Sequence, residues 1–398
     1  MMPRLVVVVQ NLMGVGHQRR AGAICAAAAA AGWGVTLISG GYPLRGFTPS
    51  NYGFVQLPPA RCPDLEFDRL IDEHGREVDE GWREQRKNAL LDAVARSKPD
   101  VLLLETFPFG RKLLRFELIP LLNALSQWRP RPVIASSIRD IIEYREKRRR
   151  YDEMAAYVNK YFDLVLVHSD RTLVPLEATF PPYPTIAAKV RYTGYVYEGE
   201  FPTGWGPASG GEGVSEDADE GGCGEVIVSA GGGGYGRHLL HAAVKAHPLS
   251  GLARRRWRIL VGDNVADGDF AALKSAAEHP LTVVQRVRPD FPQLLKRAHL
   301  SISQGGYNTV LDVLQSAVPA LIVAYHDRSE REQLLRARIL AQAGYVSLLP
   351  NGDLTARSLA TAAVHAAAFT PRPHRIQVGG AERTVDFLAE VLAGGAGR

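Results

Sequence analysis

The sequence predicts an α/β protein made of two doubly wound, Rossmann-like domains. Three observations predict it. Short β-branched runs alternate with helical stretches from end to end, the pattern of parallel sheets covered by helices. One Gly- and acid-rich stretch without packing residues interrupts that alternation. The length of 398 residues, 46% of them apolar, is generous for one core and sufficient for two. Two such halves imply a cleft between them, where ligands of doubly wound folds bind.

In order along the chain, residues 1–199 read as the first domain. Its expected strands are "RLVVVVQ", "GVTLISG", "DVLLLET", "PVIASS" and "DLVLVHS", closed by a short "VRYTGY". Helices fall between them, notably from Gln18 to Ala31 and from Gly81 to Ser97. Residues 200–224, which end in "TGWGPASGGEGVSEDADEGGCG", read as an interdomain linker. The second domain, 225–375, repeats the alternation with "EVIVSA", "WRILVG", "LTVVQ", "HLSIS", "PALIVA" and "YVSLL". Residues 376–398 hold a last amphipathic helix, "AERTVDFLAEVLAG".

Composition narrows the function classes. A net charge of +5, spread over scattered Arg, is too small to argue for nucleic acid but suits an acidic ligand. Cys25, Cys62 and Cys223 form no CxxC or CxxH spacing, which argues against a disulfide framework or a zinc site and fits a cytoplasmic protein. "LVVVV" has a strand's length, not a signal peptide's, and "AICAAAAAAG" is too short to span a bilayer.

Three glycine-bearing stretches carry candidate chemistry. The first, "NLMGVGHQRR", follows the first strand. Gly14 and Gly16 let the backbone turn tightly toward a ligand, and His17 stands at the mouth of the next helix, where a near-neutral imidazole can take a proton from a hydroxyl. A histidine that only caps the helix is the ordinary alternative; Arg19 and Arg20 suit contact with an anionic acceptor, with a solvated helix face as the ordinary alternative. The second, "VIVSAGGGGYGRHLL", satisfies GxGxxG through Gly231, Gly233 and Gly236 between a strand and a helix. Backbone N–H groups there attract phosphate, with Arg237 a further charged contact. A nicotinamide-binding domain has the same signature, with Asp263 as its ribose-binding acid. The third is "SQGGYNTVLDVLQSAVPALIVAYHDRSEREQLLRARIL". Gly305 and Gly306 end a strand; Asn308, Thr309 and Asp312 lie on the following helix, with Thr309 and Asp312 on one face. Glu330, Glu332 and Gln333 open the next helix, where acids commonly serve as caps. A dinucleotide-binding domain has no use for that second polar constellation.

This last region resembles the donor-binding half of GT-B glycosyltransferases, in particular the family 28 type typified by the N-acetylglucosaminyltransferase that makes lipid II. "DVLLLETFPFGR", "EREQLLRARIL" and "GVGHQRR" together resemble a bacterial group described as predicted glycosyltransferases. The resemblance implies that Gly305, Gly306 and Thr309 line the donor diphosphate. It puts Asp312 where the family holds a ribose with a carboxylate, usually Glu. Glu332 and Gln333 stand where donor-sugar hydroxyls are read. Gly231, Gly232 and Gly233 match the diphosphate-side loop, and His17 matches the histidine beside the acceptor. An acid at a strand tip orients that histidine in related enzymes. Glu105 ends "DVLLLE" and is the candidate, either for that role or for binding acceptor hydroxyls.

The expected activity is therefore inverting transfer of a sugar, such as an N-acetylhexosamine, from a UDP-sugar to an unidentified hydroxyl. No cofactor or metal is expected: Asp217-Ala218-Asp219 lies in the linker, and Asp267-Gly268-Asp269 reads as a helix start. The basic run from Arg139 to Tyr151 suits peripheral contact with the inner face of a membrane, although interleaved Glu143 and Glu146 equally suit a solvated helix. A UDP-N-acetylglucosamine epimerase, an NAD-dependent oxidoreductase and a non-catalytic nucleotide-sugar sensor are the alternatives.

Overall fold

The computed structural model describes residues 2–12, 16–44, 47, 49–63, 68–142, 148–196, 222–231, 236–262, 265–288, 290–325, 331–373 and 376–395. The chain forms two compact units, Met1–Pro207 with Gln377–Arg398, and Ala208–Ile376.

The first unit is a seven-stranded sheet covered on both faces. Its elements run β1 (Arg4–Val9), α1 (Gly16–Ala30), β2 (Gly34–Ser39), β3 (Gly53–Gln56), α2 (Glu80–Ser97), β4 (Val101–Glu105), α3 (Arg115–Ser126), β5 (Val133–Ile138), α4 (Arg148–Tyr161), β6 (Leu164–Val167) and β7 (Val190–Tyr192). All its strand pairs are parallel, in the order β3-β2-β1-β4-β5-β6-β7. The twofold alternation of side chains shows in β1. Val6 and Val8 join one hydrophobic cluster, while Leu5, Val7 and Val9 join the other. A continuous apolar run is therefore what a doubly covered strand requires. The Ala-rich α1 presents Ala21, Ile24, Cys25 and Ala28 to the second cluster, small side chains that let the helix lie close to the sheet.

Strand β3 has no counterpart in the sequence reading. It is four residues at the sheet edge, "GFVQ", with two of them exposed, so it lacks the apolar run that marks the others. The C-terminal helix, read from sequence as a segment of its own, is α11 (Gly380–Gly395), and it packs in the first unit's core. Ala381, Val385 and Leu388 join the cluster of α1, and Gly380 N–H donates to the Tyr195 carbonyl.

The second unit has β8 (Val226–Ser229), α5 (Arg237–Ala246), β9 (Trp257–Val261), α6 (Asp267–Ser275), β10 (Thr282–Arg286), α7 (Phe291–Arg297), β11 (Leu300–Ser303), α8 (Tyr307–Ser316), β12 (Ala320–Ala324), α9 (Glu332–Gln342), β13 (Ser347–Pro350) and α10 (Ala356–Ala367). Its six strands are also parallel, in the order β10-β9-β8-β11-β12-β13. In each unit the strand order reverses beside the first strand, between β1 and β4 and between β8 and β11. Loops diverge at such a switch point, leaving a crevice at the strands' carboxyl ends. The candidate residues lie there.

Candidate functional site

In the first unit, Val8 pairs with Leu104, so β1 and β4 end side by side. His17 stands on the first turn of α1 and Glu105 is the last residue of β4. The structure brings them together: His17 Nδ1 lies 2.9 Å from Glu105 Oε1. Arg20, one turn beyond His17 on the same helix, donates to that same oxygen. The sequence reading gave Arg20 to an anionic acceptor or to a solvated face, but three residues from His17 is the same face, and this face looks onto β4. Arg20 and Glu105 side chains are only 3% and 1% exposed, while His17 retains 19%.

The electrostatics follow from that packing. Burial alone would raise Glu105; contact with His17 and the guanidinium groups of Arg20 and Arg111 outweighs it and holds the carboxyl well below its ordinary range. Burial pushes His17 down to about 3, against the pull of Glu105, and the charges of Arg139 and Arg111 push the same way. Because burial outweighs the pull of Glu105, the imidazole is neutral at physiological pH. A carboxylate accepts only, so Nδ1 carries the proton and Nε2 keeps its lone pair. That tautomer is a base. Oε1 of Glu105 is thus shared by His17 and Arg20.

The segment after β4 is strained. Thr106 and Arg111 adopt left-handed backbone conformations, φ 67° and 61°, which is costly for a β-branched threonine. Below it, Arg86 forms a buried ion pair with Glu117 at 2.7 Å and donates to Gln10 Oε1 at 2.6 Å and the Gly40 carbonyl at 2.8 Å. This pair ties the ends of β1 and β2 to α3. Gly16 heads α1, whereas Gly14 lies outside the described residues.

In the second unit, Ser229 pairs with Ser303, so the loops after β8 and β11 are neighbours. A Cβ on Gly231 would lie 3.5 Å from Thr309 Oγ1, and one on Gly306 would lie 4.0 Å from it. Gly305 lets α9 approach, since a Cβ there would meet the Gln333 carbonyl oxygen at 2.8 Å. Gly231, Gly305, Gly306, Thr309 and Gln333 therefore converge. Asp312 is half-buried one turn beyond Thr309, and Asn308 faces solvent.

The two helices that begin here, α5 and α8, have neither a side-chain cap nor an acid in the first turn. Elsewhere α2 is capped by Asp79 and α10 by a Thr355–Ser358 capping box. Uncapped N–H groups at the switch point favour an anion.

Other candidates have partners. Arg237 opens α5, but its guanidinium pairs with Asp269. Asp267 pairs with Arg286 at 2.5 Å, so both acids of that DxD face arginines. Among the described residues, no three His, Cys, Asp or Glu side chains group as metal ligands. Glu332 Oε1 accepts from Arg336 at 2.5 Å, and Arg336, 2% exposed, also donates to the Gly305 carbonyl at 2.7 Å. The sequence reading missed Arg336 and Arg111, because a lone arginine in a helix or loop carries no spacing signal. Gly232, Gly233, Asp217, Asp219, Asp263 and Glu330, together with residues 143–147 of the basic run, lie outside the described residues. Among the described residues, no helix is long and apolar enough to cross a membrane.

Solved structures share this architecture. MurG of Acinetobacter baumannii matches with a TM-score of 0.55 at 15% identity, over 98% of this chain and 100% of that one. A UDP-glucosyltransferase from Polygonum tinctorium matches with a TM-score of 0.61 at 12% identity, over 99% of each chain. Residues 227–375 match the glycosyltransferase family 28 C-terminal domain. The chain has the GT-B fold, and its likeness to family 28 is carried by residues 227–375. Its family 28 region is also similar to a curated protein of Synechococcus elongatus (strain ATCC 33912 / PCC 7942 / FACHB-805), named UDP-N-acetylglucosamine–N-acetylmuramyl-(pentapeptide) pyrophosphoryl-undecaprenol N-acetylglucosamine transferase. That match is 32% identical over 129 residues, 32% of this chain and 34% of the relative. The same-named protein of Geobacillus kaustophilus is 28% identical over 140 residues, 35% of this chain and 38% of that one. The chain thus spans about a third of the length of the curated relatives it matches. Both family 28 glycine loops fall at a switch point, and His17 stands in the unit outside the matched region.

Proposed function

We propose that this chain is an inverting glycosyltransferase that moves a sugar from a UDP-sugar to an acceptor hydroxyl. The observation that carries the reading is the His17–Glu105 pair, with Nδ1 2.9 Å from the carboxylate; an imidazole so held, neutral because burial lowers its pKa, turns Nε2 into the base. In the proposed reaction Nε2 takes the acceptor proton as the acceptor oxygen attacks the anomeric carbon. The bond from that carbon to the diphosphate breaks, UDP leaves, and the single displacement inverts the anomeric configuration. Glu105 holds the tautomer and stabilises the imidazolium as it forms.

The donor binds the second unit. Its diphosphate lies at the N–H groups of the Gly231 and Gly305–Gly306 loops, and Asp312 takes the ribose. Those groups meet the charge that builds on the leaving diphosphate, so the mechanism needs no metal ion. An N-acetylhexosamine donor is favoured because the curated relatives are named as N-acetylglucosamine transferases. The acceptor meets the first unit.

The test is a UDP-release screen across sugar donors and hydroxyl acceptors, with His17→Ala alongside. The proposal expects acceptor-dependent UDP release that falls by about 10²–10⁴-fold in His17→Ala. Full-rate release by that variant, or conversion of the nucleotide sugar with no acceptor present, would overturn it.

A further inference from the structure

Arg336 lies in α9, a helix whose Leu334, Ala337 and Leu340 join a hydrophobic cluster of the second unit. Its side chain is 2% exposed, and burying a guanidinium costs more than burying an aliphatic side chain of similar size. Its polar partners lie at the carboxyl ends of the strands. Nη1 donates to the Gly305 carbonyl at 2.7 Å, 31 residues away along the chain. Nη2 donates to Glu332 Oε1 at 2.5 Å, and the guanidinium carbon lies 5.8 Å from the centre of the Tyr307 ring. One buried cation therefore meets the loop after β11, the first residue of α8 and the first residue of α9.

The carbonyl is the informative partner. Gly305 and Gly306 share a trans peptide, in which the C=O of the first and the N–H of the second point in opposite directions. Turning the Gly305 carbonyl toward Arg336 therefore turns the Gly306 N–H away from it. Gly306 is the N-cap of α8, so this N–H belongs to the uncapped helix start. There is room beside it. Apart from its chain neighbours, the nearest described atom that a Cβ on Gly306 would meet is Thr309 Oγ1, at 4.0 Å. A peptide between two glycines flips at little steric cost, because neither side carries a Cβ. The covalent geometry does not choose the orientation; the buried arginine does. A charged donor on the carbonyl also polarises the peptide and strengthens its N–H as a donor.

We propose that Arg336 is a positioning residue of the donor site, which fixes the Gly305–Gly306 peptide so that the Gly306 N–H faces the donor diphosphate. The inference rests on the reading that the diphosphate lies at this loop. Arg336 itself does not touch the nucleotide. Glu332 holds its second nitrogen, so the guanidinium does not swing off the carbonyl.

The experiment compares UDP with uridine, which lacks the diphosphate, on the full chain. Affinities for both are measured in wild type and Arg336→Met. The Gly306 amide is followed by nitrogen-15 NMR in glycine-labelled protein, its signal identified by its absence from Gly306→Ala. In wild type the Gly306 amide proton should move downfield with UDP and stay in place with uridine. Arg336→Met should bind UDP at least about tenfold more weakly, keep its uridine affinity within about twofold, and show no downfield shift. An arginine that only stabilised the fold would weaken both ligands alike. The inference falls if the wild-type Gly306 amide does not respond to UDP, a result readable even where Arg336→Met does not fold. It also falls if the variant binds UDP like the wild type, or loses uridine in the same proportion. Acceptor-dependent UDP release by the wild type would leave the transferase reading standing in each of those cases, whereas a wild type that binds no UDP overturns both.

Discussion

Replacing Glu105 by Gln separates what the carboxylate does for the fold from what it does for chemistry. The side chain is 1% exposed and faces Arg20, which is 3% exposed, so the substitution leaves a guanidinium buried beside a neutral amide. Breaking a buried pair from one side costs about 3–5 kcal/mol. The effect on chemistry has a different origin. The Gln amide can donate to Nδ1, which shifts the imidazole proton to Nε2 and removes the base; loss of the correct tautomer in comparable dyads costs about 10⁴-fold. Adding Arg20→Met removes both charges, and most of the lost stability should return, because a pair deleted as a whole is close to neutral. Activity should not return. The assays are urea denaturation of each variant and acceptor-dependent UDP release at a temperature where all are folded. Recovery of both quantities in the double variant, or release by Glu105→Gln within a few-fold of wild type, would refute the orienting role.

Other consequences can be checked in the same preparations. The folded His17 pKa of about 3 lies below its unfolded value of 6.5. His17 therefore subtracts nothing from stability above pH 6.5, and stability is lost as pH falls from there toward 3, at about 1.4 kcal/mol per unit. Denaturation at pH 7 and pH 5 should thus differ by about 2 kcal/mol more in wild type than in His17→Ala; equal differences would contradict the depressed pKa. Gly305→Ala places a Cβ 2.8 Å from the Gln333 carbonyl oxygen, so about 1–3 kcal/mol of overpacking and a marked loss of UDP affinity by calorimetry are expected. Unchanged affinity would remove Gly305 from the donor loop. Deleting α11 uncovers Val385 and Leu388 and should destabilise the first unit by about 3 kcal/mol or more, read as a lower first unfolding transition.

How far the sequence could be read depended on how local each signal was. The central strands were legible because burial on both faces leaves an uninterrupted β-branched run, as in "LVVVV" and "VLLLE". Edge strand β3 was not, because one open flank lets Gly53 and Phe54 stay exposed. The placement of His17, Gly231, Gly305 and Thr309 where strands lead into helices was legible because such turns have few sequence solutions. Arg20 was misread and Arg111 missed, since their meaning comes from Glu105, some 85 residues away along the chain in the case of Arg20. The docking of α11 onto α1 was equally invisible, because an amphipathic face does not name the surface it will cover.

The central claim is that His17 is a neutral base, held in one tautomer by Glu105. Nitrogen-15 NMR of the imidazole in labelled protein tests it most directly. At pH 7 the account predicts a protonated Nδ1 and an unprotonated Nε2, with the signals unchanged down to pH 5 and altered in Glu105→Gln. An imidazolium at pH 7, or a proton resident on Nε2, would contradict it.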